Sequence, residues 1–462
     1  MKTNKSAGPD GIQAWIFHDF SHIVAAPLAS IFNASIQQGI MPACWKIAHT
    51  VPIPKINPPG KIESDLRPIS LTPIASKVLE HFSCTWMYEA IKDKIDPNQF
   101  GGVKCSSTTM ALLTIINYIA QATDSGGNHV RMLLCDFSKA FDLVNHNIVL
   151  EKLRVMGVPA CLLKWSANFL FERKQQVKIG KQLSGIVKLN AGCPQGTLFG
   201  PLAFISHIND LQVPPPVHTV KYVDDTSFLA SSNDPEDLTM QRTADTLHNW
   251  CQTNDMRLNT KKTKEMIFNF TKKSHEFQPL VVDNDVIEQA DSTNILGLVL
   301  SNDLTWNNHV DFMVKKANKR LFLLTLLKRA DVSIEDMVTI FTSIIRPVLE
   351  YACVVWHSSL PEYLHNDIEG VQKRALIIIC GLNSYKRNLE ISELTTLRDR
   401  RQKLCCQFFQ DMKNSDHKLS YMLPQESTTN YDLRHLNTLA VPFCKTNRYM
   451  NSFLPWALRN FQ

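Results

Sequence analysis

Two spacings of apolar residues recur along the chain and predict its secondary structure. Apolar positions three and four residues apart predict amphipathic helices, and short runs of β-branched and aromatic residues predict strands. The helices are predicted at residues 22–38, 74–91, 142–153, 198–211, 238–251, 309–328, 334–345, 364–379 and 390–409. The strands are predicted at residues 45–53, 132–135, 169–180 and 187–191. The pattern therefore favours a mixed α+β fold.

Residues 218–230 contain two β-prone runs separated by Asp224 and Asp225. Aspartate is unfavourable in strands and favourable in turns, so we predict a tight β-hairpin with both acids at its tip. A third acid, Asp136, ends the apolar run 132–135. Carboxylates at the ends of neighbouring strands repel each other unless a cation neutralises them. The alternative for Asp224 and Asp225, taken by themselves, is a solvated turn.

The composition limits the kind of protein that this chain can be. Its 462 residues predict two or three domains, and a hydrophobic content of 44% allows a large core. A net charge of +6 permits binding to nucleic acid. The 12 cysteines show neither zinc-site nor disulfide spacing, so we expect reduced thiols in an intracellular protein. No signal peptide and no apolar run long enough for a membrane span are evident in the sequence.

Three motifs occur in order along the chain: DFSKAF at 136–141, CPQGTLFGP at 193–201 and YVDD at 222–225. Together they resemble a reverse transcriptase, and their long forms are similar to those of LINE-type, Jockey-like retrotransposons. Most such proteins carry Ala at the position of Val223. The resemblance extends from about Lys5 to the C-terminus. It implies that the N-terminus is truncated and lacks the endonuclease domain of related elements.

The resemblance also implies the fold and the activity. We expect a right-hand polymerase with fingers and palm at 1–300, a thumb at 301–382 and a small helical C-terminal region at 383–462 whose role is unknown. The activity would be RNA-directed DNA synthesis from an RNA template, a DNA primer and deoxynucleotide triphosphates. The alternative is a catalytically inactive or decaying polymerase-like protein that binds nucleic acid.

The catalytic roles follow from the same motifs. Asp136, Asp224 and Asp225 are expected to hold two Mg²⁺ ions with the backbone carbonyl of Phe137, and Asp225 acts chiefly through its charge. Oxygen ligands without nearby Cys or His favour Mg²⁺ over Zn²⁺. Lys262 is expected to be the general acid for the pyrophosphate leaving group. Its lysine neighbours at 261 and 264 leave that assignment open, and ordinary surface lysines are the alternative.

Further residues are expected to contact the substrates. Lys55 and Arg67 match the positions that hold the triphosphate, Gln195 matches a contact to base or sugar, and Phe141 matches an aromatic gate against the ribose 2′-hydroxyl. The alternatives are two surface bases and a core aromatic. The residues expected to contact nucleic acid are Lys104, Lys315, Lys316, Lys319 and Arg320. For these five residues the alternative is a solvated basic surface.

Overall fold

The computed structural model describes residues 3–56, 58–271, 275–425 and 439–461. The strands are β1 Ile47–Pro54, β2 Leu66–Leu71, β3 His129–Cys135, β4 Lys174–Ile179, β5 Gln182–Leu183, β6 Val187–Lys188, β7 His218–Tyr222, β8 Asp225–Ser232, β9 Lys264–Asn269, β10 Val281–Val282, β11 Asp285–Val286, β12 Glu288–Gln289, β13 Ser292–Ile295 and β14 Leu298–Ser301.

Helices make up most of the remaining structure and confirm the mixed α+β class. They are α1 Ala14–Asp19, α2 Ser21–Gln38, α3 Ile62–Asp65, α4 Ile74–Ile91, α5 Thr108–Ala122, α6 Ala140–Leu143, α7 His146–Val155, α8 Ala160–Leu170, α9 Phe199–His207, α10 Thr239–Thr253, α11 Asn307–Arg329, α12 Ile334–Ile340, α13 Arg346–Glu350, α14 Cys353–Trp356, α15 Glu362–Cys380, α16 Tyr385–Ser392, α17 Leu397–Met412, α18 Asn447–Met450 and α19 Phe453–Asn460. A π-helical turn, Phe341–Ile345, joins α12 to α13.

The central sheet has the strand order β12-β9-β3-β8-β7. Its middle strand, β3, pairs antiparallel with both β8 and β9, and β7 and β8 form the predicted hairpin. Residues on β3 alternate between two cores because successive side chains in a strand point to opposite faces. Leu133 and its partner Phe228 join one buried cluster, and Met132 and its partner Leu229 join the other. A sheet covered on both faces in this way is fixed in register.

Helices cover the two faces of the central sheet differently. The cluster that contains Leu133 also contains residues from α4, α7, α8, α9 and α10. The cluster that contains Met132 includes residues from α5, α11, α15, α17 and α19. Described residues beyond 383, on α17 and α19, therefore contribute to the main core.

A second sheet has the order β2-β1-β4-β5, with β6 paired to β4. Strands β1 and β2 form an antiparallel hairpin in which Ile53 lies opposite Arg67. Strand β1 also pairs in parallel with β4, from Ile47 opposite Lys174 to Thr50 opposite Val177. The backbone N–H of Ser70 on β2 donates to the carbonyl of Gln195, 2.8 Å away, so this hairpin contacts the loop before α9.

Two predicted helices are each divided in the structure. The helix predicted at 142–153 is α6 and α7, because Val144 is not helical and the side chain of Asn145 caps α7 by accepting from the backbone of Asn147. The helix predicted at 390–409 is α16 and α17. Glu393 lies in the left-handed region with φ 53°, and Thr396 caps α17.

Two predicted strands are shorter than expected. The strand predicted at 169–180 begins only at Lys174, because α8 continues through Leu170. The strand predicted at 187–191 contains only Val187 and Lys188. In both segments the spacing of apolar residues is that of a strand, but some of these residues lie in a helix, as in α8, or in a loop, as after Lys188.

Within the described ranges, no single helix is long and apolar enough to cross a membrane. Two consecutive helical segments, Ile334–Glu350 and Cys353–Ser359, are long and apolar enough only when taken together, and the chain bends by 40° between them. All twelve cysteines lie in the described part of the chain, and all are free thiols.

Candidate active site

Three acidic residues meet at one edge of the central sheet. The ladder between β3 and β8 ends with Cys135 opposite Thr226, so the next residues, Asp136 and Asp225, emerge at the same edge. Asp224 lies in the two-residue turn between Tyr222 and Asp225. Asp136 and Asp225 line a cleft of about 300 Å³. The predicted convergence of these acids follows from the strand register.

The pKa values of the turn acids reflect this crowding. Burial, together with the negative charges of Asp224 and Asp136, raises the pKa of Asp225 to about 6. Burial also raises the pKa of Asp224, aided by the charge of Asp136 and opposed by a backbone hydrogen bond. The Asp225 side chain is exposed to solvent. It nevertheless lines a cleft, and the surrounding protein atoms exclude part of the water that would hydrate its carboxylate. The site thus favours a bound positive charge.

The loop before β9 holds Asp136 in position. The Asn259 side chain donates to Asp136 Oδ2 at 3.1 Å, and its backbone N–H donates to the Asp136 carbonyl at 2.8 Å. Lys262 Nζ lies 3.7 Å from the same Oδ2, and the Lys262 side chain is 67% exposed. Lys262 is therefore beside the acids, with its charge accessible to a ligand. Lys264, one of the alternatives, is paired with Glu288 at 2.9 Å.

The chemistry of these donors suits a hard divalent cation. Asp136 and Asp225 line the cleft, Asp224 precedes Asp225 in the turn, and Phe137 follows Asp136 with its ring buried. Among the residues that the structure describes, no three His, Cys, Asp or Glu side chains form a ready-made metal cage. Carboxylates of this kind can hold a divalent cation that completes its coordination with water and substrate phosphates.

The turn that carries Asp224 is strained. Val223 has φ 58°, a left-handed conformation that is unfavourable for a β-branched residue. Only Val223 of the two central turn residues has positive φ, as in a type II′ turn, where glycine is favoured. The cost of a non-glycine residue there is ~1–2 kcal/mol. Surrounding contacts must therefore hold this turn in place.

The residues predicted to contact the nucleotide lie on two connected elements. Lys55 and Arg67 are both exposed at the end of the β1–β2 hairpin. Gln195 lies in the loop bonded to β2, with its Nε2 3.4 Å from Asp142 Oδ1. Phe141 is half-buried and stacks on Phe204 with ring centroids 4.9 Å apart. Phe141 thus has one face in the core and part of its surface exposed.

The residues predicted to contact nucleic acid have different environments. Lys104 forms an exposed ion pair with Glu89 at 2.7 Å and lies over the Tyr88 ring. On α11, Lys315 pairs with Asp311 at 2.6 Å, and Arg320 donates to the carbonyl of Ile344 in the π-helical turn. Arg320 therefore has an internal partner.

The other two lysines of that helix have fewer constraints. Lys316 lies 5.6 Å from the Phe312 ring centroid, and both Lys316 and Lys319 are exposed. Exposed ion pairs such as that of Lys315 are weak enough to exchange for a phosphate. The structure therefore leaves Lys315, Lys316 and Lys319 available on the surface of α11.

Two residues that hold the acids were not identified from the sequence. Asn259 binds Asp136, and Gln99 accepts a hydrogen bond from the backbone of Val223. Asn259 could have been found from the sequence, because it belongs to the motif LNxxKT and lies three residues before Lys262. Gln99 is 124 residues from Val223 in sequence, and no local pattern indicates their contact.

Comparison with known proteins identifies relatives over most of the chain. The family profile "Reverse transcriptase (RNA-dependent DNA polymerase)" matches residues 53–300. The RNA-directed DNA polymerase from mobile element jockey of Drosophila melanogaster is 26% identical over 427 residues, which are 88% of this chain and 46% of that protein. The probable RNA-directed DNA polymerase from transposon BS of the same species is 25% identical over 374 residues, 78% of this chain and 41% of that protein. The chain thus spans less than half the length of these curated relatives.

Among solved structures, telomerase from Candida albicans in complex with a TWJ fragment of telomeric RNA is 13% identical, with a TM-score of 0.44, covering 79% of this chain and 68% of that one. The family profile covers more than half of the chain, including the three acids, Lys262 and Gln195. The chain belongs to the reverse transcriptase (RNA-dependent DNA polymerase) family and, within it, to the LINE-type members that its motifs indicated.

Proposed function

We propose that the chain is an RNA-directed DNA polymerase of a mobile element. It would copy an RNA template by adding deoxynucleotides to the 3′-hydroxyl of a DNA primer. The observation that carries the proposal is the convergence of Asp136, Asp224 and Asp225 at one edge of the central sheet, with Lys262 Nζ 3.7 Å from Asp136. The retention of all three acids argues against a decayed, non-catalytic protein.

In this proposal the molecule has the divisions of a right-hand polymerase. Residues 1–300 form fingers and palm, with the central sheet as the palm and the β1–β2 hairpin in the fingers. Residues 301–382, which include α11 and α15, form the thumb. Residues 383–462 add a C-terminal region whose described helices pack into the same core as the thumb.

The acids would hold two Mg²⁺ ions with the Phe137 carbonyl. The chemistry that this pair supplies is a lower pKa for the primer hydroxyl and charge neutralisation on the phosphates. Asn259 keeps Asp136 oriented toward the cleft through its 3.1 Å hydrogen bond. Lys262 donates a proton to the leaving pyrophosphate, and its exposed ammonium has access to the cleft.

The fingers residues would bind the nucleotide. Lys55 and Arg67 contact the triphosphate, and an arginine can hold phosphate oxygens through two parallel hydrogen bonds. Gln195 contacts the base or sugar, and Phe141 excludes the 2′-hydroxyl. The hydrogen bond from Ser70 to the Gln195 carbonyl supports a joint role, because it connects the hairpin to the loop that carries Gln195.

A primer-extension assay on an RNA template, with and without Mg²⁺, tests the proposed function. Extension by the parent protein should require Mg²⁺, and Asp224→Asn should lower it by at least about 10²-fold, because the ligand charge is lost. Primer–template binding, measured by fluorescence anisotropy, should be largely unchanged. Extension by Asp224→Asn at the parent rate would refute the assignment of the acids.

A further inference from the structure

Gln99 is buried directly beneath the strained acidic turn. It is 1% exposed, and its Oε1 accepts hydrogen bonds from the backbone N–H groups of Gly101 and Val223, both at 3.0 Å. Because both partners are backbone donors, the orientation of the side-chain amide is defined. The residue with the unfavourable φ is therefore the residue whose N–H binds Gln99.

The backbone around Gln99 lies against the hairpin at the same point. The N–H of Phe100 donates to the Lys221 carbonyl at 2.7 Å, and the N–H of Lys221 donates to the Asn98 carbonyl at 2.9 Å. A Cβ atom at Gly101 would lie 2.5 Å from Val223 N, so only glycine permits this approach. Segment 98–101 thus continues the sheet beyond β7 and ends under the turn.

The C-terminal region holds segment 98–101 from the other side. Lys418 Nζ donates to the Gln99 carbonyl at 2.6 Å and lies 4.8 Å from the centroid of the Phe100 ring. An ion pair between Lys221 Nζ and Asp96 Oδ2, at 2.6 Å, fixes the residues just before this segment to β7. Residues from three distant parts of the chain therefore meet below Asp224.

We propose that Gln99 is a positioning residue that holds the Val223–Asp224 turn in its strained conformation. Lys418, in the C-terminal region, holds Gln99 in place, so the C-terminal region contributes to the geometry of the acidic turn. The inference rests on the proposed polymerase function for its consequence, but not for its geometry. Loss of either contact would let Val223 relax toward negative φ. Asp224, the next residue, would then be displaced relative to Asp136.

Hydrogen exchange tests the geometry without any substrate. In the metal-free full chain, Gln99→Leu should speed exchange in a peptide that covers residues 218–226, because the Val223 amide loses its acceptor. Gln372→Leu is the matched control, since Gln372 is also 1% exposed but binds Tyr385 and the Thr395 carbonyl. It should leave exchange in that peptide unchanged. Unchanged exchange in folded Gln99→Leu would overturn the proposal.

Kinetics test the consequence for the reaction. Gln99→Leu should lower kcat for primer extension by roughly 10- to 100-fold, the effect expected of a small misplacement, with little change in KM for the nucleotide. In a Val223→Gly background the same substitution should cost less, because glycine adopts positive φ without strain. Equal losses in the two backgrounds would show that Gln99 does not act through the strained turn.

Lys418→Met keeps the test decisive if Gln99→Leu does not fold. This variant retains the aliphatic part of the side chain and removes the donor to Gln99. Faster exchange in residues 96–101 and 218–226 is expected, and unchanged exchange in both would refute the role of Lys418. An inactive parent protein would contradict the proposed polymerase function while leaving the exchange result interpretable.

Discussion

Burial, aided by repulsion between the acids, raises the pKa of the two turn acids at the sheet edge. Asp225 has a pKa raised to about 6, whereas the pKa of an aspartate in an unfolded chain is ~3.9. The folded protein therefore binds this proton more tightly than the unfolded chain. The stability contributed by protonation is fully present below the unfolded pKa and is lost as pH rises through about 6.

This sign predicts a pH-dependent effect of Mg²⁺ on stability. In EDTA, Tm should fall between pH 5 and pH 7 by more in the parent than in Asp225→Asn, where the titrating group is absent. Mg²⁺ should raise Tm more at pH 7.5 than at pH 5.5, because protons compete with the cation for the carboxylates. Differential scanning fluorimetry measures both shifts. A Mg²⁺ effect that is the same at both pH values would contradict this account.

Phe141 provides a second prediction at the residue scale. Its ring stacks on Phe204 and is half-buried, so an exposed part of it can face a nucleotide sugar. In Phe141→Val the smaller side chain should admit the 2′-hydroxyl, and discrimination against ribonucleotides should fall by roughly 10- to 100-fold. Steady-state incorporation of ribo- and deoxynucleotides measures this ratio.

The control for the sugar gate is Phe82→Val, which removes an exposed aromatic ring on α4. Its discrimination should equal that of the parent. A folded Phe141→Val protein with the parent preference for deoxynucleotides would assign Phe141 to the core alone.

The sequence was informative about the acids but not about the residues that support them. Asp136, Asp224 and Asp225 follow from short local patterns, because Asp136 directly follows β3, Asp224 lies in the β7–β8 turn and Asp225 begins β8. The support of the turn by Gln99 depends on a contact across 124 residues and on a positive φ at Val223. Valine at a type II′ position contradicts local propensity, so the fold as a whole must supply the stabilisation.

At the scale of elements, long periodic segments were predicted well and their ends less well. The helix predicted at 74–91 has those bounds in α4, and the hairpin at 218–230 is β7–β8. Asn145 and Thr396 cap new helices, but the apolar periodicity continues across both residues. The periodicity therefore does not show that one helix ends and another begins there. Short side-chain hydrogen bonds to the backbone determine those boundaries, and periodicity carries no information about them.

Helix α11 gives a prediction at this scale. If its exposed lysines contact duplex phosphates, changing Lys315, Lys316 and Lys319 to Gln should flatten the slope of log affinity against log salt by up to about one unit for each lost contact. Arg320 is left unchanged because it already donates to the Ile344 carbonyl. Primer–template anisotropy titrations between low and high salt measure the slope.

The matched control for α11 removes the same charge elsewhere. Lys92 and Lys413 directly follow α4 and α17, and Lys164 lies on α8; all three are exposed, and their triple Gln variant should retain most of the parent slope. Equal slopes for the parent and the α11 variant would show that these lysines form an ordinary solvated surface and do not contact the duplex.

Over the whole molecule, the C-terminal segment closes back onto the first half of the chain. Asp124, just after α5, accepts hydrogen bonds from the backbone N–H groups of Lys445 and Thr446 at 2.9 and 2.8 Å. Burial alone would raise the pKa of Asp124, but these bonds lower it. Arg448 lies 3.4 Å from the Phe270 ring centroid and donates to the Thr123 carbonyl. This contact explains why helices α18 and α19 pack against α5.

Asp124→Ala should therefore destabilise the whole protein. It leaves two partly buried backbone donors of the C-terminal segment without their acceptor, a loss of about 1–3 kcal/mol. Urea unfolding followed by circular dichroism measures the change, and limited proteolysis should cut earlier between residues 439 and 461. The exposed Asp93→Ala is the control and should shift stability by less than about 0.5 kcal/mol. An equal, small effect of both substitutions would show that the contact does not hold this segment.

The parallel pairing of β1 with β4 has a consequence for synthesis on the ribosome. Thr50 on β1 donates to Gln175, which is 125 residues later in the sequence. During translation the edge of β1 that pairs with β4 therefore stays unpaired for on the order of ten seconds. An unpaired strand edge of this kind invites association with neighbouring nascent chains. Pro52 and Pro54 lie in the half of β1 beyond the β4 ladder and offer no N–H donor to such a neighbour. The two prolines thus limit the length of β1 to which such a neighbour could pair, and leave residues 47–50 as the exposed edge.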